Sequence, residues 1–147
     1  MTATPLQVAQ AYSVLANQGY AYKPRLVDYI SDGENIEETV KEKNVEVKYP
    51  AEYYRLLKDA MIGVVEEKNG TGKILRTPGL KIAAKSGSAQ NSQSKETHAW
   101  VAGYFPVDNP KLVFVVLLQG AGSGGAVAGG VAKKFIDEYL TLYGEQK

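Results

Sequence analysis

The chain reads as an α/β protein of the α+β kind, an antiparallel three-strand sheet with helices packed on it. Three observations predict this. Apolar residues recur at helical spacing near each end and once in the middle. Between the second and third of these stretches, three consecutive segments read as strands joined by turn residues. The resulting order is helix, extended arm, helix, three strands, helix. That is the order of a meander covered by helices, not of alternating βαβ units.

Each element has a local cause. Thr4 reads as an N-cap, Pro5 occupies the first helical position, and Gln7 completes a capping-box spacing. Leu6, Val8, Ala9, Tyr12, Leu15 and Ala16 form the helical stripe, and Asn17-Gln18-Gly19 ends it through a left-handed Gly. Pro24 to Ile30 reads as extended, and Ser31-Asp32-Gly33 as a turn. Glu34 to Lys48 is charged, with β-branched residues interspersed, and reads as an exposed strand or hairpin arm. Pro50 starts a second helix, in which Tyr53, Leu56, Leu57, Ala60, Met61 and Val64 recur at helical spacing and Asn69-Gly70 closes the run. Thr77-Pro78-Gly79 turns the chain into a strand from Leu80 to Gln90. A polar loop to Thr97 leads to a strand from His98 to Phe105. Asp108-Asn109-Pro110 then turns into Leu112 to Gln119, whose almost wholly apolar run suits a strand buried on both faces. The stretch Gly122 to Gly125 opens a last helix with Val127, Val131, Phe135, Ile136, Tyr139 and Leu140 on one face. No internal repeat or linker divides the chain.

Composition narrows the function. The 147 residues are 44% hydrophobic with mixed charge, which indicates a globular protein with a real core. A net charge of +1 points to no nucleic-acid or membrane-surface partner. There is no cysteine, so disulfides and Cys-ligated metal are excluded. No apolar run approaches the ~20 residues of a membrane span, and no signal peptide is visible.

The most informative string is Lys85-Ser86-Gly87, at the end of the apolar run Leu80 to Ala84 and continuing into Ser88-Ala89-Gln90. Lys supplies positive charge, Ser supplies directional donors, and Gly lets a substrate backbone come close. Such a site can grip an anionic peptide end. Other strings carry less. Gly120, Gly122 and Gly125 match G-x-G-x-x-G, but no further strand and acidic residue follow at the spacing a dinucleotide site needs. A close strand-to-helix turn is the better reading. Gly70-Thr71-Gly72-Lys73 is not a P-loop, because Glu67 stands where its first Gly belongs and Ile74 follows the Lys. Asn69-Gly70-Thr71 is a glycosylation sequon by spelling only. His98 is the single histidine, with no metal partners nearby in sequence, and reads as strand-edge packing. Trp100 and Tyr104 share its face and read as core, with the lining of a substrate cleft as the alternative. Glu37-Glu38 and Glu66-Glu67 sit among Lys residues and read as solvated. No metal or cofactor is expected.

Five strings in order carry a family resemblance. They are Thr4-Pro5-Leu6-Gln7-Val8-Ala9, Gly70-Thr71-Gly72-Lys73, Lys85-Ser86-Gly87-Ser88-Ala89-Gln90-Asn91, His98-Ala99-Trp100-Val101-Ala102-Gly103-Tyr104, and the Gly122–Gly125 stretch. Together they resemble the C-terminal part of the transpeptidase domain of class B penicillin-binding proteins, closest to the penicillin-binding protein 2 group. Everything except roughly residues 32–49 takes part. The resemblance implies that residues 1–147 are one portion of a single transpeptidase domain, lacking its upstream strands and nucleophile helix. It also implies a membrane-anchored bacterial parent with this domain on the extracytoplasmic side.

The family uses Lys-Thr-Gly or Lys-Ser-Gly as one of three motifs, with a Ser-x-x-Lys nucleophile at a helix start and a Ser-x-Asn across the cleft. There is no Ser-x-Asn here. The one Ser-x-x-Lys, Ser92-Gln93-Ser94-Lys95, lies in a polar run after the Lys-Ser-Gly motif, where the family order does not place a nucleophile. The expectation is a piece of a D,D-transpeptidase that cross-links peptidoglycan stem peptides and binds β-lactams, inactive alone. By the resemblance, Lys85 lies in the nucleophile's proton network and draws the donor carboxylate. Ser86 and Ser88 bind that carboxylate, and the Ser88 backbone N–H is an oxyanion donor. Gly87 clears the strand edge for the donor peptide, and Gln90 completes the substrate-binding set. A β-lactam sensor or β-lactamase of the same fold, or a non-catalytic interaction module, is the alternative. In the resembled fold the sheet has five strands, and one of the two upstream strands pairs with the strand matching Leu112 to Gln119. That edge is therefore expected to be bare and to drive a homodimer, unless the 32–49 arm covers it.

Overall fold

The computed structural model describes residues 3–90 and 96–144. The chain runs α1 (Pro5–Ala16), β1 (Tyr20–Tyr22), β2 (Tyr29–Ser31), β3 (Ile36–Glu38), β4 (Lys43–Glu46), α2 (Ala51–Glu66), a 3-10 turn (Lys73–Leu75), β5 (Ala83–Gln90), β6 (Thr97–Phe105), β7 (Leu112–Leu118), a π-helical turn (Gly124–Ala128) and α3 (Gly129–Tyr143). The predicted order holds throughout.

The capping box at Thr4 is complete. Thr4 Oγ1 accepts from the Gln7 N–H, and Gln7 Oε1 accepts from the Thr4 N–H. At the other end of α1 the left-handed residue is Gln18 (φ 56°), followed by Gly19 at φ 129°. The arm folds as nested antiparallel pairs, β1 with β4 and, farther out, β2 with β3. Only three residues of the expected Pro24–Ile30 extension and its turn, Tyr29 to Ser31, join a strand. Asp32 closes the turn by accepting from the Glu34 and Asn35 N–H groups. The strand expected from Leu80 begins at Ala83, because the Leu80 N–H is used to close the preceding turn on the Thr77 carbonyl.

The central sheet is antiparallel, in the order β5-β6-β7. On one face Ala99, Val101 and Phe105 of β6 and Phe114 of β7 pack against Ala128, Ala132 and Ile136. On the other, Ala83, Tyr104 and Val107 pack with Ala16 of α1 and Met61 of α2. α2 contributes to both layers, since Val65 belongs to the first. Tyr54 ties α2 to the arm by donating its hydroxyl to the Val47 carbonyl at 2.7 Å.

The helical stripes match expectation in part: Tyr12, Leu15 and Ala16 of α1, Met61 of α2, and Ile136, Tyr139 and Leu140 of α3 pack into the core, and other apolar members turn outward. In α2 the core residues are Tyr54, Met61 and Val65, while Tyr53, Leu56 and Leu57 are exposed. In the π-helical turn and α3, Ala128, Ala132 and Ile136 face the sheet, and Val127, Val131 and Phe135 are exposed. Ala128 and Ala132 let the start of the helix approach the sheet closely, and farther along Ile136 fills the inner face. Leu6 is likewise exposed. β7 is partly buried along its length, with only Phe114 fully so. It is an edge strand among the described residues, and the arm strands pair with one another instead of covering it.

Candidate active-site wall

β5 carries the Lys-Ser-Gly motif along the opposite edge of the sheet from β7. Its register sets Lys85 beside Ala102, Ser86 beside Val101, Gly87 beside Trp100 and Ser88 beside Ala99. Side chains alternate along a strand, so Lys85 and Gly87 share the face of Trp100 and His98. Ser86, Ser88 and Gln90 lie on the face that carries α3. Lys85, Gly87, Ser88 and Gln90 are exposed.

The hydroxyls are held from behind. Ser86 Oγ and Thr71 Oγ1 share a hydrogen bond of 2.7 Å. Ser88 Oγ accepts from the Gly124 N–H at 3.3 Å. A serine hydroxyl has one proton to donate, and here the protein uses Ser88 as an acceptor, which leaves its proton for an incoming oxygen. Lys85 Nζ donates to the Ser86 carbonyl at 2.6 Å, which uses one of its three protons. The motif therefore presents a cation and a hydroxyl proton from one strand.

The backing is made by glycine backbone. A Cβ on Gly124 would overlap the carbonyl oxygens of Gly87 and Trp100, and one on Gly125 would overlap that of Thr71. The Gly-rich stretch is thus filled by protein on its inner side, as a strand-to-helix turn should be. Gly87 is different. A Cβ there would meet Trp100 Cβ at an ordinary 3.5 Å. Contacts within the fold do not exclude a Cβ at 87.

His98 is half-buried at the start of β6, and its Nδ1 accepts from the Gly120 N–H at 3.0 Å. Trp100 is half-buried and Tyr104 lies in the core. Burial first, and the Asp59 carboxylate second, push the Tyr104 phenol above its ordinary value. Ser92 to Lys95 lie outside the described residues. Among the described residues no cluster of three or more His, Cys, Asp or Glu could hold a metal. Sequence reasoning did not find the roles of Thr71, Gly124 and His98. The signal for Thr71 was present, because it stands in one of the five family strings; its contact with Ser86 spans 15 residues of chain.

This strand edge with its glycine backing belongs to a penicillin-recognising enzyme fold. Residues 1–137 match the family model described as the penicillin-binding protein transpeptidase domain, and the chain is a member of that family. Among curated relatives, the peptidoglycan D,D-transpeptidase MrdA of Haemophilus influenzae is 36% identical over 156 residues, covering 95% of this chain and 24% of that protein. The protein of the same name from Escherichia coli is 30% identical, with the same coverage of each. The chain thus spans about a quarter of the length of these relatives. Among solved structures, Pseudomonas aeruginosa penicillin-binding protein 2 superimposes with a TM-score of 0.77 at 29% identity, covering 94% of this chain and 30% of that one. Mycobacterium tuberculosis penicillin-binding protein A, solved as a ceftriaxone acyl-enzyme, gives 0.79 at 25% identity, covering 93% and 32%.

Proposed function

We propose that this chain forms the Lys-Ser-Gly wall of the active site of a peptidoglycan D,D-transpeptidase, with the nucleophile supplied by residues outside it. The observation that carries this reading is Gly87. It is exposed, and a Cβ there would meet only Trp100 Cβ at an ordinary distance, so a substrate backbone on the open side accounts for the glycine. In this role Lys85 provides positive potential for the donor's terminal carboxylate and lies in the nucleophile's proton network. Ser88 donates its free hydroxyl proton to the carboxylate and its backbone N–H to the oxyanion, and Ser86 and Gln90 complete the contacts. The bond broken is the stem peptide's terminal amide, and the acyl group passes through a serine ester to an amine of a second stem peptide. β-Lactams enter as mimics of that donor. The domain works on the extracytoplasmic side of the membrane; among the described residues no helix is long and apolar enough to cross one.

A fluorescent penicillin tests where the nucleophile lies. The isolated chain forms no adduct that survives a denaturing gel, whereas the full-length transpeptidase carrying it does. A labelled band on the isolated chain that disappears with Ser92→Ala overturns this reading.

As an isolated piece the chain pairs with a second copy through β7. The strand is apolar and has an unpartnered edge among the described residues, which is a template for edge-to-edge pairing. Light scattering across a dilution series gives a dimer mass that falls on dilution. A monomer at every concentration, with Val115 and Leu117 amides well protected, refutes the pairing.

A further inference from the structure

The connection from β7 to α3 reaches the motif strand under restraint from β6. Gly120 has φ +65°, a left-handed conformation suited to glycine, and its N–H is donated to His98 Nδ1 at 3.0 Å. The Glu96 carboxylate also crowds it, with Oε2 3.3 Å from where a Cβ would stand. Gly122 then donates its N–H to the Thr97 carbonyl at 2.9 Å. Two residues later Gly124 gives its N–H to Ser88 Oγ. From the imidazole to the Ser88 hydroxyl is a tether of four residues, no more than about 14 Å when fully extended. A shift at its first anchor has little slack in which to dissipate.

An accepting Nδ1 carries no proton, which assigns the ring hydrogen to Nε2. We propose that His98 is a positioning residue for the Lys85–Ser88 strand. Its Nε2-protonated imidazole anchors the β7–α3 connection so that the Gly124 N–H meets Ser88 from behind and the Ser88 hydroxyl proton stays turned to the ligand. The catalytic meaning of this anchor rests on the transpeptidase reading above; the anchor itself does not.

The chain has one histidine, so its imidazole nitrogens can be observed without ambiguity in a uniformly ¹⁵N-labelled sample. A long-range nitrogen–proton correlation is expected to show an unprotonated Nδ1 and a protonated Nε2. Amide exchange at Gly120 and Gly124 is then compared in two variants. His98→Asn keeps an acceptor near the Nδ1 position, and His98→Phe keeps the ring bulk without one. Exchange at both glycines is expected to rise about three- to tenfold in the Phe variant, the loss of one hydrogen bond, and to stay near the parent in Asn. In the full-length transpeptidase, β-lactam acylation is expected to slow about ten- to a hundredfold with Phe and to recover with Asn. An Nδ1-protonated ring, or equal exchange in the Phe variant and the parent, overturns the anchor. So does equal loss in both variants, which would show that ring bulk alone matters. If His98→Phe does not fold, the tautomer in the unaltered chain and the Asn variant still decide. Failure of the transpeptidase reading shows differently, as acylation indifferent to Lys85→Ala with the tautomer and exchange results intact.

Discussion

The Gly87 carbonyl occupies the space where a side chain on Gly124 would begin. The motif strand and the turn that opens α3 are therefore in backbone-to-backbone contact, and Gly124 meets the motif twice, by this contact and by its N–H to Ser88. Gly124→Ala is expected to push the two apart, at about 1–3 kcal/mol of stability, as overpacking does. Amide shifts at residues 86–90 and 97–100 report the displacement. An unshifted spectrum and an unchanged unfolding midpoint would contradict the contact.

Thr71 and Ser86 test the hydroxyl pair. Thr71→Val leaves Ser86 without this partner and is expected to cost about 1 kcal/mol. Thr71→Ser keeps the hydroxyl and should restore most of the loss. Denaturant unfolding of the three proteins checks the order, and a Ser variant no better than Val would show that the methyl group matters instead.

The two faces of α3 give opposite expectations. Ile136 is fully buried against the sheet, so Ile136→Ala should cost about 2–5 kcal/mol. Phe135, next to it in sequence, is 47% exposed, and its removal should change stability far less. Comparable losses at the two positions would mean that Phe135 is covered in solution.

The arm turn should respond to acid. Hydrogen bonds from Asn35 first, and from Glu34, hold the Asp32 carboxyl below the ordinary aspartate range. A depressed folded value means that the contribution is fully present above the unfolded value and fades as pH falls through the depressed one. Faster amide exchange at Glu34 and Asn35 is expected there, and already at neutral pH in Asp32→Ala. A carboxyl titrating at its ordinary position would remove the effect.

Much of this was legible in the sequence, for local reasons. The Thr4 cap, the Asp32 turn and the strands Thr97–Phe105 and Leu112–Leu118 follow from patterns within a few residues. Lys85 to Gly87 was legible as a motif, but its place was not: the apolar run puts it at a strand's end, whereas it lies within β5 and is paired to β6 throughout. The buried helix faces were legible only in part: Ala16, Met61 and Ile136 turn in as their spacing suggests, but Val127, Val131 and Phe135 are equally apolar, and only the approach of Ala128 and Ala132 to the sheet turns that side out. The supports of the motif were hidden for another reason. Gly124 lies 36 residues from Ser88 and acts through its N–H and its missing side chain, neither of which leaves a periodic trace.

Second-order acylation of the full-length protein by a β-lactam, measured for Lys85→Ala and Gly87→Val beside the exposed-surface control Lys134→Ala, tests the central claim most directly. Lys85→Ala should slow acylation about 10²–10³-fold, the cost of one lost electrostatic contact to the reacting group. Gly87→Val should slow it comparably, and Gly87→Ala should leave the unfolding midpoint nearly unchanged, since a Cβ there meets only Trp100 Cβ at 3.5 Å. The control should match the parent. Acylation at the parent's rate in Lys85→Ala and Gly87→Val would contradict the assignment of this strand to an active-site wall.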